Sequence, residues 1–159
     1  MNSLKFFILI AFLFTQISLH AQTASEVFEK SWTGASKART DLTESGYFLC
    51  YESLYNIEFN EEDNTFSGYS RTEFKTDLGT YVNIVKIYGE FDPDDLTVVI
   101  TTGTSIREDE LPYGLIWLST TLNLKLYSDS EHSGYYILSG QSARMEYSDE
   151  LYEVTNYPY

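Results

Sequence analysis

Phe66-Ser67-Gly68-Tyr69-Ser70-Arg71-Thr72-Glu73-Phe74-Lys75 reads as two interleaved rows. Phe66, Gly68, Ser70, Thr72 and Phe74 carry no charge, while Tyr69, Arg71, Glu73 and Lys75 fall between them. Successive side chains of a strand point to opposite faces, so this run is a strand with one face in a core and the other in water. It stops at Thr76-Asp77-Leu78-Gly79, a short polar link, and the pattern resumes directly. Tyr81, Asn83, Val85, Ile87, Gly89 and Phe91 then oppose Lys86 and Glu90. Two long alternating runs joined by so short a link form an antiparallel hairpin.

The same reading extends in both directions. Upstream, Tyr47, Leu49, Tyr51, Ser53, Tyr55, Ile57 and Phe59 are expected inside, with Glu52, Asn56 and Glu58 in water. Downstream, Leu96, Val98 and Ile100 form one inner row, and Leu122, Leu124 and Leu126 form another against Asn123 and Lys125. Trp117 has the wrong parity for that last row, so either a bulge lies between Trp117 and Leu122 or Trp117 packs outside. Strands are expected at about 31–38, 46–59, 65–75, 80–91, 95–106, 114–127, 134–142 and 145–155. Short polar breaks, such as Asn60 to Asn64, Asp92 to Asp95 and Ser128 to Gly134, favour a meander whose edges close on each other. The expected fold is all-β, a single up-and-down antiparallel β-barrel of about eight strands. A short helix precedes it within Thr23 to Ser31, where Thr23 and Glu26 have capping-box spacing and Phe28 stands four residues before Trp32.

Residues 1–21 have the three parts of an export signal: Lys5, the apolar run Phe6 to Phe14, and Ser18-Leu19-His20-Ala21 ending on a small residue. The apolar run is far shorter than the ~20 residues that span a bilayer, so cleavage after Ala21 is expected. The domain is then 22–159, soluble in the periplasm or outside the cell, with no membrane span. Cys50 lies well inside it, which excludes a lipid anchor on an N-terminal cysteine.

The chain carries 24 acidic and 10 basic residues, a formal charge of −14. A field of that sign repels phosphate backbones and excludes nucleic acid as the expected partner. A lone cysteine forms no internal disulfide, so the core must hold the fold, and Cys50 reads as a small hydrophobe of a strand. His132 is the only histidine outside the leader and sits in a polar turn, which leaves no Ser/His/Asp or Cys/His constellation to read. No metal, cofactor or catalytic site is expected, and the protein is read as a non-enzyme. Glu61-Glu62-Asp63 and Asp92 to Asp95 read as hydrated hairpin tips, because neither has the spaced ligands and glycine of a calcium loop. Glu108, Asp109 and Glu110 are adjacent, whereas acid–base chemistry needs carboxylates converging across a cleft. An outer-membrane barrel is excluded by Glu52, Arg71, Glu73, Lys75, Lys86, Glu90 and Lys125 on faces that would meet lipid.

The inner rows mix apolar with polar groups. Gly68, Ser70, Ser53 and Gly89 are expected to leave volume. Tyr51, Tyr55, Ser70, Thr72, Asn83, Val85 and Trp117 are the candidate ligand-binding residues, since a few polar groups in an apolar pocket make a small-molecule site.

Trp32-Thr33-Gly34, Phe66 to Ser70, Ile87 to Phe91, Leu111-Pro112-Tyr113-Gly114 ahead of Trp117, Leu122 to Leu126 and Tyr135 to Gly140, in this order, resemble the small secreted lipocalin-like β-barrel proteins of Bacteroidetes-type bacteria. The resemblance implies the barrel fold and is nearly silent on activity, that family being largely without assigned function. Two expectations stand: an exported binding module holding a small, partly apolar ligand in the barrel, or a packed barrel presenting exposed Tyr69, Tyr88 and Tyr113 to an envelope protein or glycan.

Overall fold

The computed structural model describes residues 22–39, 43–117, 119–143 and 151–158. The expected leader 1–21, Leu118 and the first half of the expected last strand lie outside them. The chain forms helix α1 (Ala24–Phe28) and strands β1 (Trp32–Arg39), β2 (Tyr47–Asn60), β3 (Thr65–Thr76), β4 (Gly79–Asp92), β5 (Thr97–Glu108), β6 (Thr121–Ser128), β7 (Tyr136–Ser142) and β8 (Leu151–Thr155). Every strand pairs antiparallel with the next and β8 pairs back onto β1, closing an eight-stranded up-and-down barrel.

The ladders stack the interior in tiers. Across β2, β3 and β4, Cys50, Phe74 and Tyr81 share the first tier, then Glu52, Thr72 and Asn83, then Leu54, Ser70 and Val85. Below these come Gly68 with Ile87, and finally Phe59, Phe66 and Gly89. The inner rows expected for β3 and β4 are therefore observed, as is the Leu122, Leu124 and Leu126 row of β6, with Leu124 and Leu126 buried.

β2 departs from expectation, and the cause is local. Asn56 adopts a φ of 49° and the pairing slips between Tyr55 and Glu58, so Asn56 and Ile57 together oppose Gly68. One extra residue reverses side-chain parity. Ile57 and Phe59 point inward as expected, but on the other side of the bulge Tyr47, Leu49, Tyr51, Ser53 and Tyr55 face outward, and Glu52, placed in water by the sequence reading, is only 5 % exposed. Gly68 permits the bulge, because a Cβ there would come within 3.0 Å of the Ile57 side chain.

β5 and β6 place expected residues elsewhere because they start later than expected. Leu96 is exposed in the turn before β5 with φ 56°. Trp117 belongs to the irregular connection before β6, which begins only at Thr121.

The helix seals one end of the barrel. Thr23 and Glu26 form both halves of the capping box, satisfying N–H groups that a five-residue helix cannot satisfy internally. Phe28 is fully buried and packs on Phe59, Phe66 and Phe91, with ring centroids 5.0–5.2 Å away. Its carbonyl accepts from Trp32 Nε1 at 3.2 Å, so helix and first strand are locked together. Burying a ring of this size contributes about 1.5–3 kcal/mol. The volume expected at Gly89 is filled by the Phe66 ring, which lies where a Gly89 Cβ would be. This half of the lumen is solid.

Candidate functional site: the polar end of the barrel

At the end away from α1, the interior is polar. Glu52 accepts from Ser36 Oγ at 2.7 Å and from Thr72 Oγ1 at 2.8 Å, one hydroxyl from each flanking strand. A buried carboxylate is tolerated only where hydrogen bonds replace its hydration, and these two supply that in part. Asn83 stands beside Thr72 in the same tier, and its Oδ1 is buried with no hydrogen-bond partner. Tyr152 reaches in from β8, and its hydroxyl is likewise buried and unpartnered. Burial pushes the Tyr152 phenol well above its ordinary value, and the neighbouring Glu52 charge pushes the same way.

Above this girdle is an aromatic collar. Phe48 and Phe74 meet edge to face at 4.9 Å, and Tyr81 lies 6.5 Å from Phe74. Ser70, Thr72, Asn83 and Val85 face inward and are half-buried, while Glu52, Leu54, Phe74 and Tyr152 around them are buried.

The candidate residues thus divide. Ser70, Thr72, Asn83 and Val85 come together inside. Tyr51 and Tyr55 do not join them, because the Asn56 bulge turns them out: Tyr51 is 47 % exposed beneath Lys75, and Tyr55 stacks on Tyr69. Trp117 is outside the strands, and its indole N–H donates to the Asp109 carbonyl at 2.8 Å. Asp109 also accepts from the Val82 N–H at 3.0 Å, and its own N–H returns a bond to the Val82 carbonyl, pinning the start of the connection to β4. Arg107, and then the Val82 N–H, hold the Asp109 carboxyl below its usual range. Its role is architectural.

Comparison with protein-family models, with curated proteins and with solved structures finds no match to this chain. The site is therefore read from its own chemistry.

Glu52, Ser36 and Tyr152 are the interior residues that strand periodicity missed. Asn56 was the available signal for Glu52, since asparagine tolerates positive φ better than most residues and marks a bulge inside a long strand. Among the described residues, no group of three or more His, Cys, Asp or Glu side chains is placed to hold a metal. No described helix is long and apolar enough to cross a membrane. His132 donates its Nδ1–H to the Asp129 carboxylate at 2.9 Å and stacks on Tyr157, which accounts for it as part of the β6–β7 turn.

Described residues of the outer wall line open grooves. One, of about 720 Å³, runs along β2 to β5 past Glu58, Ser67, Tyr88 and Thr101. Another, of about 710 Å³, lies beside β1 and β8 and includes Tyr51 and His132.

Proposed function

We propose that this chain is an exported, non-catalytic binding module that holds a small, partly apolar molecule in the polar end of its barrel. The observation that carries the reading is the pair of unsatisfied oxygens, Asn83 Oδ1 and Tyr152 Oη, on the polar girdle beside Glu52. A buried polar group without a partner costs about 1–3 kcal/mol. A lumen that keeps two of them beneath an aromatic collar is arranged for a guest with a polar end and an apolar body.

Export follows from the leader-like residues 1–21, and the family resemblance supports a secreted barrel. The test is titration of residues 22–159 with Nile red, a neutral apolar dye. Saturable binding that Ser70→Leu abolishes while the fold is retained supports the reading. Absence of saturable binding sinks it.

The rival function is a surface that meets an envelope protein or glycan. It is favoured by the outer groove, where Tyr88 is half exposed with Lys86 over its ring. Aromatic side chains offer wide contact at little entropic cost. Dye binding that survives Ser70→Leu but is lost in Tyr88→Ala would favour this surface over the lumen.

A further inference from the structure

We infer that the lumen selects a guest whose apolar part is a single aromatic ring and whose polar head is an uncharged or cationic hydrogen-bond donor, and that it rejects carboxylates. This deepens the binding-module reading and rests on it.

The tiers give the guest its two ends. Phe48, Phe74 and Tyr81 line the collar with ring faces and edges, a surface that pairs with another aromatic ring in offset or edge-to-face contact. The girdle one tier below carries two buried oxygens without a partner beside the Glu52 carboxylate. Glu52 has only acceptor oxygens when ionised, Asn83 presents its amide oxygen, and Tyr152 supplies a hydroxyl that gives or takes one bond. A hydroxyl or ammonium head donates to Asn83 Oδ1, and a hydroxyl head can also meet Tyr152 Oη. Both oxygens are buried, so a head meets them only where the side chain turns towards it.

A carboxylate head meets the opposite situation. It has no proton for Asn83 Oδ1, and although the Tyr152 hydroxyl can donate to it, it brings a like charge to the tier occupied by Glu52. Like charges brought together away from water are disfavoured, and the acidic balance of the chain adds to the repulsion at long range.

Three probes share one ring and differ at the head: 2-phenylethanol, 2-phenylethylamine and 3-phenylpropanoate. Each is titrated against Nile red bound to residues 22–159 at neutral pH. The alcohol and the amine are expected to displace the dye at least about tenfold more readily than the propanoate, a difference one buried donor–acceptor pair supplies. Glu52→Gln is expected to bring the propanoate within about threefold of the alcohol. Tyr152→Phe, which keeps the ring and its packing, is expected to weaken the alcohol more than the amine. Arg71→Gln on the outer wall is expected to change none of these ratios.

Equal or tighter binding of the propanoate overturns the inference while leaving the binding module standing. So does dye that binds but is displaced by none of the three. Failure of the dye itself to bind removes both.

Discussion

Thr72 on β3 donates its hydroxyl to Glu52 Oε2 on β2 at 2.8 Å, while Ser36 on β1 approaches Oε1 at 2.7 Å, so a carboxylate that is 5 % exposed is gripped from both neighbouring strands. Glu52→Leu removes the charge but leaves two hydroxyls facing an apolar side chain, at about 1–3 kcal/mol for each one left unsatisfied. Glu52→Gln keeps an acceptor oxygen and is expected to lose less. Urea unfolding distinguishes them, and a leucine variant as stable as the parent would show that the two hydroxyls do not depend on the carboxylate.

Tyr152 gives the protein a defined alkaline limit. Burial first, and Glu52 second, raise its folded-state value well above 10.0. The unfolded chain releases this proton near pH 10 and the folded chain does not. The stability involved is fully present below about pH 10 and is lost as pH rises towards the folded value. Tyr152→Phe is therefore expected to melt at or above the parent's Tm near neutrality, because it deletes a buried hydroxyl without a partner. Its advantage should widen above pH 10. Melting curves from pH 7 to 11 check this, and a gap that narrows with pH contradicts it.

Acid acts on the outer wall. Lys75 and Arg71 hold the Glu73 carboxyl below its ordinary 4.5, and Arg107 with the Val82 N–H holds Asp109 below 3.8. Groups depressed in the folded state stabilise it above their unfolded values, and that contribution disappears as pH falls through the lower folded values. Tm is expected to decline from about pH 5 downward. Glu73→Gln should decline less steeply than the parent over the same range, and parallel curves would show that the Lys75–Glu73 pair at 2.9 Å contributes nothing.

Gly89 has no room for a methyl group, since the Phe66 ring lies across its α-carbon. Gly89→Ala overpacks the sealed half of the barrel and is expected to cost about 1–3 kcal/mol or more. Phe66→Leu in the same chain should recover part of that loss, because it withdraws the ring edge. A double variant no more stable than Gly89→Ala alone would mean that the strain lies elsewhere.

Ser70 and Arg71 are neighbours on opposite faces of β3. Ser70→Glu adds a carboxylate one tier from Glu52 and is expected to cost about 3 kcal/mol or more. Arg71→Glu breaks a part-buried ion pair on the outer wall and sets a like charge beside Glu73, which Lys75 still contacts, for a loss of about 1 kcal/mol. Chemical denaturation of both variants suffices. The greater loss at Arg71 would mean that the wall of the lumen had been turned inside out.

Strand periodicity and the short polar links were enough to determine the all-β class, the antiparallel meander, the capped helix ahead of it and the inner rows of β3, β4 and β6. These are local properties: alternation at period two, turn residues between runs, and a cap three residues from its glutamate. Four of the candidate lining residues, Ser70, Thr72, Asn83 and Val85, were legible for the same reason. The tertiary structure alone decided which face of β2 is inside, because one bulged residue at Asn56 reverses five side chains without disturbing the alternation on either side. It also decided that the helix end of the lumen is filled. Whether Gly89 is a space or a seat for Phe66 depends on the register between β3 and β4 and on α1 packing beneath them. Ser36 and Glu52 meet across the β1–β2 ladder, whereas Tyr152, far along the chain, joins them only because β8 closes the barrel onto β1.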